Sequence, residues 1–401
     1  MSNGRGILRE IVEQSARIYR DLHREEGTGI IIFRDHVDGI CGCSIISWLL
    51  DQLGTKYHIA CLDDVFPPYV ELVEETGAEF VLLVDLGSGR EDMLERVLSD
   101  SASVYLLDPH PSAEAKGRAP RIHRFDLRRV TVTSASSLCF LVARNIGKEV
   151  NEVAWISVLG SGQVQGDALN VLAQREATRL GDVTRKIVRD RERILVSVSG
   201  LDRERAALGR RVTTLAQVGY YEDGPVDAVT SLRFGDLDQL WSKADAPRER
   251  MKLMFDDVRG ELERDGLFAR TNVQWFDSKD SFSGLSPGII ADFADQVRNL
   301  RGIVHGDKYI AGLMSLEARV PGLGDVGDGW TRVCCSVPKR LEGMIQNDRR
   351  PPVSAIIEAS AFHHGGYGKG SRTMGSALLP QEEVQPFIGA FDRLVDESLA
   401  T

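Results

Sequence analysis

Five short runs that are apolar at nearly every position constrain this chain more than any other feature: Gly29–Phe33 (GIIIF), Tyr57–Leu62 (YHIACL), Phe80–Val84 (FVLLV), Ser103–Leu107 (SVYLL) and Val153–Val158 (VAWISV). A strand with one wet face alternates apolar and polar residues; these runs do not, so both faces must be covered. Helical stretches separate them, the clearest being Ile40–Leu53 closed by Gly54 and Ala135–Ile146 closed by Gly147. The pattern predicts an α/β fold whose parallel sheet is packed by helices on both sides. An amphipathic helix over residues 7–23, with Ile7, Ile11, Ile18 and Leu22 on one face, leads into it.

At 401 residues, 42% of them hydrophobic, the chain can bury a real core in two or three domains. Residues 1–170 carry the strand–helix alternation. Residues 171–300 change in texture, with an Arg/Asp/Glu run from Arg185 to Arg211 that reads as the solvated face of a helix, and are expected to form a helical connector. Short strands return in residues 301–401, with Lys308–Leu313, Thr331–Val337 and Val353–Ala359 as candidates, then a glycine-rich stretch and a last helix at Gln381–Leu399. That predicts a smaller C-terminal α/β domain.

The formal net charge of -10 argues against wholesale coating of duplex nucleic acid or anionic lipid, so any nucleic-acid contact must be a local basic groove. The six cysteines include no C-x-x-C pair, and several sit in apolar runs, which points to a reduced, cytoplasmic compartment. No apolar stretch reaches the roughly 18–20 residues of a membrane span, and residues 1–14 lack the apolar core of a signal peptide.

In an open parallel sheet ligands bind beyond the carboxyl ends of the strands. Strand one is followed there by Arg34-Asp35-His36-Val37-Asp38-Gly39, strand three by Asp85-Leu86-Gly87-Ser88-Gly89, and strand four by Asp108-Pro109-His110-Pro111. One acid in such a place caps a helix. Three delivered to one edge are what a divalent-metal site requires, since its oxygen and nitrogen ligands must approach from several directions.

The ordered set resembles the phosphoesterase superfamily named after its Asp-His-His (DHH) motif, which includes RecJ-type exonucleases. Its first motif, His-x-Asp-x-Asp-Gly, falls on Arg34 to Gly39; its second, a lone Asp, on Asp85; its third on Asp108-Pro109-His110. The fourth, a glycine-rich turn ending in Asp, falls on Leu159-Gly160-Ser161-Gly162-Gln163-Val164 without the Asp. The Gly-Gly-Gly-His signature of the associated C-terminal (DHHA1) domain resembles His364-Gly365-Gly366-Tyr367, continuing to Gly375. The resemblance implies a two-domain α/β protein, two Mn²⁺ or Mg²⁺ ions bridged by Asp85 with Asp38 as a further ligand, and substrate contacts in the C-terminal domain.

The departures cut against hydrolysis. Arg34 replaces a ligand His, His36 an Asp and Pro109 a metal-binding His, while Asp108 and His110 remain as remnants that support the site and touch phosphate. A fixed guanidinium where a divalent ion belongs is repelled by several kcal/mol at about 4 Å, and proline ligates nothing. His36, Asp38 and Asp85 can still form one weak metal site. Arg34 can instead neutralise the carboxylates the ions once neutralised, or bind a phosphate directly.

Gly365 and Gly366 with Tyr367, Lys369 and Arg372 are candidate phosphate or base contacts, glycines admitting an anion to the backbone and Tyr367 offering a stacking face. The plainer reading is a surface turn. His363-His364 would face opposite ways on a strand, Gly160-x-Gly162 with Gly166 does not complete a dinucleotide fingerprint, and Cys334-Cys335 reads as core.

Two functions follow. One is a catalytically degenerate RecJ-like protein that binds single-stranded nucleic acid or replication partners, similar to the pseudo-nuclease of the replicative helicase, which partners GINS. The other is a working Mn²⁺- or Mg²⁺-dependent phosphodiesterase or single-strand exonuclease. A small-molecule sensor is a third possibility.

Overall fold

The computed structural model describes residues 2–98, 102–110, 121–128, 130, 132–164, 167–188 and 191–400. It divides into two compact units, residues 1–248 with 321–324 and residues 249–320 with 325–401.

In the first unit a helix, α1 (Ser2–Leu22), precedes β1 (Thr28–Arg34), α2 (Val37–Leu53), β2 (Lys56–Leu62), α3 (Pro67–Glu75), β3 (Phe80–Val84), α4 (Glu91–Val97), β4 (Ser103–Leu107) and β5 (Ile122–Arg124). These strands form one parallel sheet in the order β2-β1-β3-β4-β5. The chain leaves β1 toward β2 on one side and returns to β3 on the other, so the order reverses at β1/β3, where a crevice opens at the carboxyl ends. α2 stops at Gly54, whose φ of 70° satisfies a left-handed cap.

The run at Val153–Val158, expected as a strand, is helical: α6 (Ala154–Gly160) follows α5 (Ala135–Ala143). Every residue of α6 is buried, so no polar face marks the helical period, and a short run apolar all round cannot be told from a strand by pattern. The fifth strand is the polar β5 instead.

Beyond α7 (Val171–Leu180), the charged run expected as a helix face is mostly an antiparallel sheet of β6 (Val183–Val188), β7 (Arg191–Val198) and β8 (Leu201–Glu204), before α8 (Arg205–Val218) begins. Its charges are solvated as expected, but they pair across strands: Arg185 with Glu192 at 3.0 Å, Arg193 with Glu204 at 2.7 Å. The pairs are diagonal across the ladder, Arg185 standing opposite Ile194 and Glu204 opposite Leu195, and long side chains reach such diagonal partners on a strand as they reach the next turn on a helix. α9 (Gly224–Arg233) and α10 (Leu237–Lys243) complete this unit, and α11 (Asp245–Asp265) opens the next.

The second unit is built on a mixed sheet. Its elements are β9 (Phe268–Ala269), β10 (Val273–Asp277), α12 (Ile289–Val297), β11 (Tyr309–Ser315), the short β12 (Arg319–Val320) and β13 (Gly324–Asp325), and β14 (Trp330–Ser336). α13 (Lys339–Gln346), α14 (Val353–His363), β15 (Tyr367–Gly370), β16 (Met374–Pro380) and α15 (Val384–Ala400) follow, and the sheet runs β15-β16-β14-β11-β10-β9. The strands expected at 308–313 and 331–337 are β11 and β14. The one expected at 353–359 is α14. Its buried Val353, Ile356, Ile357, Ser360 and Ala361 follow helical spacing, and Pro352 stands at its N-cap. The chain is therefore α/β throughout, a parallel-sheet unit followed by a mixed-sheet unit.

Candidate functional site

The crevice between the ends of β1 and β3 collects the residues the sequence singles out. Arg34 closes β1, Asp38 lies in the first turn of α2, Asp85 follows β3 and Asp108 follows β4. Gly39 is required here: a Cβ on it would lie 2.6 Å from the Arg34 carbonyl oxygen and 2.8 Å from its Cβ. Asp85 holds a left-handed backbone, φ 61°, uncommon for a residue with a side chain.

Arg34 lies near the acids, but its side chain makes no hydrogen bond or ion pair with a described residue, and its Nε is buried without a partner. Burial alone would lower its pKa, but Asp85, then Asp35, Asp64 and Asp108, outweigh burial and hold the guanidinium above its ordinary value. Asp85 responds in kind. Burial, then the neighbouring Asp38 and Asp108, push it up against the pull of Arg34 and His110, to about 8. It therefore keeps a proton at neutral pH.

Asp38 is already engaged. Its Oδ2 accepts from the Ala135 N–H at 2.8 Å and its Oδ1 from the Ser136 N–H at 2.9 Å, so it cradles the start of α5. Asp108 accepts from the Ser88 N–H at 2.9 Å and the His110 N–H at 3.0 Å, and its Oδ1 lies 2.7 Å from His110 Nδ1. Burial pushes Asp108 up, but the bonds and charge of His110 outweigh it and hold it below the usual carboxylate value. The same pair raises His110. The His36 ring lies 3.8 Å from Asp35.

Among the described residues, one set brings metal-ligating atoms within 4.8 Å of one another: Asp85, Asp108 and His110. A single divalent ion fits these donors and would supply Lewis-acid charge there. Each Asp38 oxygen already accepts one backbone N–H, and Pro109 offers no ligand.

Several residues that matter were not read from the sequence as site residues. Asp63 and Asp64, both buried, follow β2 as the other acids follow their strands; the same rule applied to strand two would have found them. The fourth-motif turn packs onto α5, a Cβ at Gly160 falling 2.5 Å from Ser136 Oγ. The acid nearest it in sequence, Asp167, accepts from Ser134 and Ser137 Oγ at 2.8 and 2.7 Å and from the N–H groups of Leu169 and Asn170. It ties α5 to the start of α7. Arg205 lies across Gly162, where a Cβ would stand 3.3 Å from its Nε. It makes no hydrogen bond or ion pair with any described residue, and burial and Arg185 lower its pKa. Pro111 and Gly166 lie outside the described residues.

In the second unit the glycine-rich segment is a hairpin, β15 and β16, lying against α14. A Cβ at Gly368 would stand 2.7 Å from the Ile357 carbonyl oxygen, and one at Gly375 2.8 Å from Val353. Glycine serves close packing there. Gly365 turns the chain at φ 67° and Gly366 backs onto Leu378 and Leu379. Tyr367 lies 6.4 Å from the Trp330 ring, and Lys369 is opposite Ser376. Arg372 donates to the Ile345 carbonyl and to Asp348 at 2.6 Å. His363 ends α14, and His364 bonds Glu383 at 2.7 Å, so the two are not on a strand. Cys334 and Cys335 are buried, as are the other four cysteines, all free thiols.

A parallel sheet in this order, with acids gathered at its switch point and a mixed-sheet unit behind it in sequence, defines a two-unit α/β fold. No protein-family profile matches the chain, and no curated protein matches it. Solved structures do. Over 97% of this chain it is similar, at 12% identity and a TM-score of 0.61, to RecJ from Thermus thermophilus in complex with Mn²⁺. It spans about half (55%) of that RecJ chain. Over 97% it is also similar to CDC45 from Entamoeba histolytica, at 9% identity, a TM-score of 0.56 and 99% of that chain. A DHH domain from a member of the S1p family of ribosomal proteins matches at 15% identity, a TM-score of 0.59 and 91% of its length. The chain shares the fold of these RecJ, CDC45 and DHH-domain structures. No described helix is long and apolar enough to cross a membrane.

Proposed function

We propose that this chain is a catalytically degenerate RecJ-like protein that holds single-stranded nucleic acid in a replication or repair assembly, with a GINS-like complex as its partner class. The observation that carries the reading is Arg34, a fixed positive charge at the end of β1 that Asp85, Asp35, Asp64 and Asp108 hold in its charged form. With Asp38 committed to α5 and Pro109 in a ligand position, the crevice keeps the shape of a phosphodiester site and loses the means to activate a water. Arg205, unpaired beside the fourth-motif turn, supplies a cation for a phosphate. The hairpin residues Gly365, Gly366, Tyr367, Lys369 and Arg372 are the second proposed contact, with Tyr367 as the stacking face. The likeness to CDC45 and RecJ makes nucleic acid and replication partners the classes to test first.

The second reading, a metal-dependent phosphodiesterase, is favoured by the Asp85–Asp108–His110 donor set. Calorimetric titration with Mn²⁺ separates the two. The degenerate protein takes up one weakly held ion at most, and two sites of about micromolar affinity or tighter overturn it. So does cleavage of labelled single-stranded DNA or RNA in Mn²⁺ that Asp85→Asn abolishes.

A further inference from the structure

The opposite end of α5 from the carboxylates borders a second concavity. α5 begins at the Asp38 carboxylate and runs 9 residues, about 13 Å at 1.5 Å per residue. Beyond its last turn a cavity of about 570 Å³ opens between α1, the turns that follow α5, and α7. That volume lies within the roughly 300–1,000 Å³ of small-molecule sites.

Arg144, Lys148 and Arg179 line it beside one lining carboxylate, Glu176, while Glu149 Oε2 lies 2.7 Å from where a Cβ on the lining Gly147 would stand. Glu176 is already engaged, since Arg179 Nε donates to it at 2.9 Å. The side chains of Arg144 and Lys148 make no hydrogen bond or ion pair with any described residue. In a chain of net charge -10, two cations in one hollow that form no ion pair with a described residue are a local exception. Gly147, φ 126°, lets the chain turn between them. The floor is of the other kind: Val12, Leu141 and Val150 line it. Asn145 is fixed by donating to the Leu141 and Val142 carbonyl oxygens at 2.9 and 3.1 Å, and Asn151 lies at the rim.

We propose that this cavity binds a small phosphomonoester of the nucleoside monophosphate class, its phosphate between Arg144 and Lys148 and its base or sugar on the apolar floor. Concavity favours a compact ligand over a passing strand, and the cations require an anionic one. The site lies apart from the strand-end carboxylates and is independent of the function proposed above.

Equilibrium dialysis of the full chain with AMP tests it, with adenosine and inorganic phosphate as controls. AMP should bind saturably and adenosine at least about tenfold more weakly, the worth of one charge-assisted hydrogen bond. Arg144→Ala with Lys148→Ala should weaken AMP by about tenfold or more while leaving the far-ultraviolet dichroism and melting temperature unchanged, and Lys148→Ala alone should act in the same direction. Absence of saturable AMP binding, equal affinity in the double variant, or loss of AMP binding on Asp85→Asn overturns the proposal. Binding of a single-stranded oligonucleotide that the double variant loses, with its AMP affinity unchanged, would assign the cations to a nucleic-acid backbone and overturn it too.

Discussion

At the scale of single residues, Arg34 and Asp85 dominate. A carboxyl held at about 8 in the folded protein keeps its proton there and releases it on unfolding at neutral pH. Unfolding therefore sheds a proton between the ordinary carboxylate range and about pH 8, so stability falls as pH rises through that window. Asp85→Asn does not titrate. Urea unfolding from pH 5 to pH 9 should show the variant gaining on the natural protein by on the order of a few kcal/mol, and parallel curves would refute the assignment. Arg34→Met removes one of the two positive charges, with His110, that act on Asp85. It should cost about 1–2 kcal/mol, the worth of roughly one pKa unit, more at pH 8 than at pH 5.5, by the same measurement. The gathering of Asp85 and Asp108 at one sheet edge was legible in the sequence because each follows an apolar strand. That Asp38 commits both oxygens to backbone N–H groups was not, since residues 38 and 135 meet only through the fold.

At the scale of elements, α5 is the hinge of the site. Its first N–H groups hold Asp38, and Ser134 caps it by accepting from the Ser137 N–H. Asp38→Ala leaves two of those donors without their partner and should lower stability by about 1–3 kcal/mol. Asp38→Asn, which keeps an acceptor, should lose less in thermal unfolding followed by circular dichroism. The strands β1 to β4 were readable because central parallel strands are apolar throughout. α6 was not, because burial on every side erases the period that distinguishes helix from strand. α14 carried a helical period and two prolines before it, so that misreading came from weighing apolar content over spacing.

At the scale of the whole molecule, acidity overall and basicity in places decide how it would meet a nucleic acid. Arg205→Ala should weaken single-stranded DNA binding and reduce the salt slope by about 0.7, the value for one phosphate neutralised on a single strand. Filter binding at several salt concentrations measures it, and an unchanged slope would remove Arg205 from the interface. The succession of a parallel sheet and a later sheet was legible across the chain. The middle region was not, because a three-stranded sheet with paired charges across its ladder and a solvated helix share one composition.

The left-handed backbone at Asp85 also limits which histories were open to this position. Side chains branched at the β carbon are strained by that geometry, whereas asparagine and glycine bear it at little cost. A saturation library at this codon should therefore rank its folded survivors by tolerance of the turn before charge is considered, with asparagine and glycine ahead of glutamate, and valine and isoleucine last.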